Sequence, residues 1–178
     1  MVHLDDGIEL LNGNMFSFHS PDASTLEVEE LAHVLSNVCR FAGHVRYFYS
    51  VAQHAVNVSL IVDQAHAKTA LLHDTAEGFT NDIVTPLKHM VSTFREIEER
   101  IESAMAAHFG FQYPLPDEVK WADLAMLKLE KEHLKPSASS WGVLDGIDAE
   151  PVRHLVNLEP MSPTEARDAF IARWKEVQ

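Results

Sequence analysis

The sequence predicts an all-α fold. Apolar residues recur at three- and four-residue spacing along almost the whole chain, and helix-starting and helix-stopping residues bracket those runs. No internal repeat, low-complexity tract or linker separates two parts. With 178 residues, 46% of them hydrophobic, the chain is long enough for one domain with a substantial core.

The elements follow in order. Met1–Pro21 is less regular, with a short hairpin expected around Asn12-Gly13. Ser24-Thr25 is read as the cap of a first helix running to about Asn37, with Leu31, Leu35 and Val38 on one face. Ser50 opens a second, which aligns Val51, Ala55, Val58 and Val62. A third is expected from about Ala65 to Phe79, ended by the polar Thr80-Asn81-Asp82. Thr93 caps a fourth that runs through His108 and stops at Gly110. A fifth starts at Asp117, after Pro116, and carries Trp121, Leu124, Leu127 and Leu134. Lys135–Ser162, rich in Ser, Pro and Gly, reads as a loop with at most a short helix. Pro163-Thr164-Glu165 begins a sixth helix that reaches Trp174 and Val177.

Composition excludes several classes. The formal net charge is −13, from 14 Lys+Arg against 27 Asp+Glu, so polynucleotides and anionic membrane are repelled. A small phosphorylated substrate stays possible, because a metal ion and a few cations reverse the field inside a cleft. The lone Cys39 can form no internal disulfide, which points to a reducing compartment. No apolar run approaches the ~20 residues of a membrane span. The first residues lack the basic start and apolar core of a signal peptide. A cytoplasmic protein is expected.

Chemistry concentrates in Ala70-Leu71-Leu72-His73-Asp74-Thr75-Ala76-Glu77, with His54 upstream and Asp123 downstream. A His-Asp pair alone says little, since composition gives roughly 0.7 such pairs by chance from 11 His in 178 residues. The setting says more. His73 and Asp74 follow Leu71-Leu72, where an uncompensated carboxylate is expensive. Glu77 lies four residues after His73, on the same helical face. His54 and Asp123 sit among apolar neighbours on other helices. Two His and two Asp from three helices suit Zn²⁺, Mn²⁺, Co²⁺ or Fe²⁺. On residue pattern alone, satisfied polar groups in an ordinary helical bundle remain an equal alternative. His66, His89, His108 and His133 are read as ordinary histidines rather than a second metal site.

Five ordered blocks carry a resemblance. They are Cys39-Arg40-Phe41-Ala42-Gly43-His44, Tyr49-Ser50-Val51-Ala52-Gln53-His54, Leu71 through Glu77, Asp82-Ile83-Val84-Thr85-Pro86-Leu87-Lys88 and Lys120-Trp121-Ala122-Asp123. With them the chain resembles the HD-domain phosphohydrolases, whose pattern is His…His-Asp…Asp. It is most similar to the small bacterial and phage enzymes acting on deoxynucleotide 5′-phosphates. These comprise 5′-deoxynucleotidases and the dATP triphosphohydrolases of phages that use 2-aminoadenine. The resemblance implies a single HD-domain helical bundle over 1–178, with its metal-binding core at about 24–135 and a C-terminal loop and helix at about 136–178.

The same resemblance implies one divalent metal ion on His54, His73, Asp74 and Asp123, which activates water for attack on a 5′-phosphorus. Glu77 matches an acid that orients the nucleophile or shuttles its proton. Asp82 matches one that positions water or protonates the leaving oxygen. Arg40, Lys88 and Lys120 match phosphate-binding positions. Phe41 is the candidate for stacking on the base, Gly43 and His44 for shaping the pocket wall, and Pro86 for packing on the sugar. As plain residues, Asp82 reads as a turn residue after a helix and Pro86 as a turn proline, the alternatives to these roles. Three cations exceed the needs of one phosphate, so dATP is the first substrate expected. A nucleotidase of deoxynucleoside monophosphates, a non-catalytic nucleotide sensor and a purely structural domain are the rivals. Related enzymes assemble, so a homo-oligomer is expected.

Overall fold

A computed structural model of the chain describes residues 7–135 and 139–178. The expected hairpin is present: β1 (Gly7–Glu9) pairs antiparallel with β2 (Met15–Ser17), and Ile8 faces Phe16. Gly13, at φ 83°, supplies the left-handed turn residue between them. Its first six residues, and Pro136 and Ser137 of the expected loop, lie outside the described residues.

Eight α-helices follow among the described residues: α1 (Val28–Asn37), α2 (Val51–Ile61), α3 (Gln64–Leu72), α4 (Glu77–Thr80), α5 (Thr85–Met90), α6 (Phe94–Phe109), α7 (Asp117–Leu134) and α8 (Pro163–Val177). Capping explains three of the boundaries. The Ser50 side chain accepts from the Gln53 amide at the start of α2. Gly110, at φ 69°, closes α6. Ser162 and Glu165 form a reciprocal capping box on α8. The first helix starts at Val28, later than the Ser24-Thr25 cap implies.

The expected third helix is interrupted, and this is a correction with a physical cause. His73 Nδ1 donates to the Ala70 carbonyl at 2.7 Å. A continuing helix would offer that oxygen to the Asp74 amide, so the ring competes with the backbone. Tight i→i−3 bonds take over, from Thr75 to Leu72 and from Glu77 to Asp74, before α4 begins. The short α5 is also absent from the sequence reading. Its apolar residues Leu87 and Met90, and Val84 just before it, are exposed, so no buried stripe announces it. The expected loop after α7 contains two 3₁₀ turns, Gly142–Leu144 and Glu150–Leu155.

Two apolar clusters frame α2 and α3. On one side Leu31, Leu35, Leu71, Leu72 and Phe170 join α1, α2, α3 and α8. On the other, Val58, Ala70, Val119, Met126 and Leu129 join α2 and α3 to α7. Held from both sides, α2 and the end of α3 project His54 and His73 toward α7, which carries Asp123.

Candidate active site

His54 and His73 are buried, at 0% and 3% exposure, and their Nε2 atoms lie 3.3 Å apart. Each ring is oriented by its other nitrogen. His54 Nδ1 meets Glu130 Oε1 at 2.7 Å, and His73 Nδ1 meets the Ala70 carbonyl. Both partners are acceptors, so both Nδ1 atoms carry the proton and both Nε2 atoms present lone pairs. Asp123 Oδ1 lies 3.1 Å from His54 Nε2 and 3.7 Å from His73 Nε2. Asp74 Oδ2 lies 3.2 Å from His73 Nε2 and 3.5 Å from His54 Nε2. Two lone pairs and two carboxylates aimed at one point repel one another unless a cation lies between them. One ligand atom each from His54, His73 and Asp123 fits within a 4.8 Å sphere of mutual distance. The donor set therefore suits a divalent cation. Among the described residues no second cluster of this kind occurs.

Beneath the quartet lies an ion pair. Glu130, fully buried, accepts from Arg40 Nε at 3.3 Å and Nη2 at 3.0 Å through one oxygen, while its other oxygen accepts the hydrogen bond from His54 Nδ1. Burial alone would raise the Glu130 carboxyl, but Arg40 and His54 outweigh it and hold it below the usual range. Arg40 also reaches Asp74 at 3.5 Å. Arg40, expected as a phosphate-binding residue, is thus already paired from two sides, and it lines the cavity above the quartet.

The quartet opens into a cavity of about 830 Å³. Asp74, Glu77, Asp82 and Asp123 line its acidic end. Thr85, Pro86, Lys88 and His89 from α5 also line it, as do Phe41, His44, Lys135 and Trp141. Glu77 is buried, and one of its carboxylate oxygens has no hydrogen-bond partner. Burial, with the negative charges of Asp74 and Asp82, pushes this carboxyl well above the ordinary range. Lys88 Nζ binds Glu98 at 2.6 Å and lies 3.8 Å from Glu77. Asp82 accepts the Phe41 amide at 2.7 Å. That bond pins a turn in which Phe41, Ala42 and Gly43 all take left-handed φ, at 56°, 51° and 79°.

Two sequence candidates are not brought to the cavity. Lys120 is exposed and pairs with Asp117 at 3.1 Å. Helical side chains lean toward the N-terminus, so its ammonium covers the first turn of α7 rather than the Asp123 level. Gly43 does not line the cavity either, and a Cβ built on it would meet nothing within 4 Å.

The sequence reading passed over Glu130, Glu98, Lys135 and Trp141. Glu130 left a signal: it follows Asp123 by seven residues, two helical turns, within the apolar run to Leu134. Glu98 sits at the equivalent of one exposed-looking acid among several on α6. Trp141 lies in a Ser- and Gly-rich stretch with no periodicity at all.

A family model described as "5′-deoxynucleotidase YfbR-like" matches residues 26–138. The uncharacterized protein YfdR of Escherichia coli (strain K12) is 36% identical over 171 residues, covering 96% of this chain and 94% of that protein. An uncharacterized protein of Rhodobacter capsulatus is 32% identical, covering 92% of this chain and 91% of its own length. No helix among the described residues is long and apolar enough to cross a membrane. The matched span contains the His54, His73, Asp74 and Asp123 cluster, and the chain belongs to the YfbR-like 5′-deoxynucleotidase family of metal-dependent HD-domain phosphohydrolases.

Proposed function

We propose that this chain hydrolyses the phosphate ester of 2′-deoxynucleoside 5′-monophosphates, with one divalent cation held by His54, His73, Asp74 and Asp123. The observation that carries the reading is the convergence of two Nε2 lone pairs and two carboxylates, 3.1–3.7 Å apart, at the floor of a substrate-sized cavity. Two nitrogens and two oxygens suit Zn²⁺, Mn²⁺, Co²⁺ or Fe²⁺. When bound, the cation acidifies water and draws charge off the phosphoryl oxygens.

The chain's own residues do the rest. Glu77, with one carboxylate oxygen free of any hydrogen-bond partner and with raised proton affinity, takes the proton of the attacking water. Lys88 holds a phosphoryl oxygen from the side of α5, with Glu98 keeping its ammonium in place. Asp82 fixes the Phe41 turn through the backbone and lies close enough to the acidic end to serve the leaving 5′-oxygen. Arg40 braces Asp74 rather than gripping the phosphate directly. Pro86 stands on the wall where the sugar would pass.

Charge selects the monophosphate. Arg40 is matched by Glu130, Lys88 by Glu98, and the cation by the two ligand carboxylates. At the metal end that leaves little free positive charge for the several negative charges of a triphosphate. The cavity volume favours dATP as a second substrate, since about 830 Å³ is in the upper part of the range for small-ligand sites.

The test is incubation with deoxynucleoside mono-, di- and triphosphates and ribonucleotides plus Mn²⁺, Co²⁺ or Zn²⁺, with products resolved by chromatography. Nucleoside and inorganic phosphate should come fastest from the monophosphates. Intact triphosphate released from dATP at higher kcat/KM would overturn the monophosphate preference, and binding without turnover would mark a sensor. This reading takes residues 1–178 as one domain of a cytoplasmic homo-oligomer. Its support is that α8 packs on α1, α2 and α3, and that Val84, Leu87 and Met90 leave an apolar face beside the cavity. Light scattering at micromolar concentration checks the assembly.

A further inference from the structure

We infer that Trp141 is a substrate-binding residue, whose indole forms with Phe41 the wall on which the nucleobase rests. The inference rests on the deoxynucleotide reading of the same cavity.

One stripe of α7 sets the distance. Asp123, Leu127 and Lys131 follow one another at four-residue intervals, with Lys135 just past the helix end, and Asp123, Leu127 and Lys135 line the cavity. At 1.5 Å per residue, Asp123 and Lys131 stand about 12 Å apart along the axis. That is comparable to the length of an extended nucleoside monophosphate. A phosphate held near Asp123 therefore brings its base to the level of Lys131 and Lys135, where the aromatic pair sits.

The pair is built for a flat ligand. Phe41 and Trp141 have ring centroids 6.1 Å apart at 57°. Lys135 Nζ lies 5.0 Å from the Phe41 centroid and 5.8 Å from that of Trp141, and Lys131 Nζ lies 5.7 Å from the indole. Lys135 is fixed by donating to the His44 carbonyl at 2.9 Å. The rings are too close and too tilted to sandwich a base. A base instead stacks on one ring and meets the edge of the other.

Trp141 is held in place rather than floating. Leu144, three residues on, is buried, and Lys128 of α7 donates to the Ile147 carbonyl. Both anchors tie the segment to the helix that carries Asp123. Trp141 also lies beyond residues 26–138, the span matched by the family model.

The experiment uses the full chain and 2′-deoxyadenosine, which lacks the phosphate and so reports on the base site alone. The chain holds three Trp, and Trp121 and Trp174 lie outside the cavity lining. Deoxyadenosine should quench the intrinsic fluorescence saturably in the wild type, and Trp141→Phe should lose most of that quench. In steady state, Trp141→Ala should raise KM for deoxynucleotides about tenfold with kcat changed less than about threefold, and Trp141→Phe should restore KM. An unchanged quench in Trp141→Phe, or an unchanged KM in Trp141→Ala, overturns the inference. Should the Ala variant fail to fold, the quench in Trp141→Phe decides alone. The two readings fail separately. Quench at Trp141 without hydrolysis of any deoxynucleotide would sink the proposed reaction, whereas hydrolysis indifferent to Trp141 would sink only this wall.

Discussion

Glu130 offers the sharpest test of how the site is supported. Replacing it by Ala removes the acceptor for His54 Nδ1 and the partner of Arg40, a residue only 6% exposed. Arg40 would keep only Asp74, at 3.5 Å. Breaking a buried pair from one side costs about 3–5 kcal/mol. For a chain of this size that lowers Tm by about 6–20 °C. The His54 ring would also lose the bond that fixes its tautomer, which weakens metal binding about 10- to 100-fold. Thermal melts and chelator competition measure the two effects separately. The double variant Arg40→Met/Glu130→Leu separates them further, because removing both charges should recover most of the stability while His54 still lacks its acceptor. A Glu130→Ala protein with wild-type Tm and wild-type metal affinity would refute the argument.

Asp74→Ala should deplete bound metal and abolish turnover, read by elemental analysis beside the activity assay. Glu77→Gln should keep the metal while losing most of kcat, and near-wild-type kcat would remove Glu77 as the proton acceptor. Glu102, pushed up to about 7 by burial and by nearby acids, binds its proton more tightly folded than unfolded, so stability should fall as pH rises from about 4.5 through about 7. Glu102→Gln should flatten that slope in Tm-versus-pH measurements, with a gain at pH 8 of at most about 3 kcal/mol before solvent screening. Gly43→Ile should cost about 1–2 kcal/mol from its left-handed φ and leave the dGTP-to-dATP ratio alone, since its side chain would enter open space.

The helices that bury a periodic stripe, such as α6 and α7, were legible because spacing, caps and stop residues agree. The break after Leu72 was not, because a single ring-to-carbonyl bond at His73 decides it and leaves no periodic trace. Spacing correctly set His54, His73, Asp74 and Asp123 on elements that meet. For Lys120, which pairs with Asp117, three residues of helical offset said nothing of the direction in which a long side chain leans. Arg40 was legible as a cation near the site, but its engagement with Glu130 depends on a contact across 90 residues. Trp141 reaches the cavity through tertiary anchoring alone.

The run of left-handed backbone at Phe41, Ala42 and Gly43 sets stability against precision. Gly43 adopts it freely, but each of the two L-residues before it gives up about 1–2 kcal/mol to hold that shape. Ala42→Gly would relax the turn and also widen the range of angles open to the neighbouring ring. A search for more heat-tolerant variants should therefore be drawn to Ala42, and what it gained in melting temperature it would surrender in the sharpness with which Phe41 is aimed.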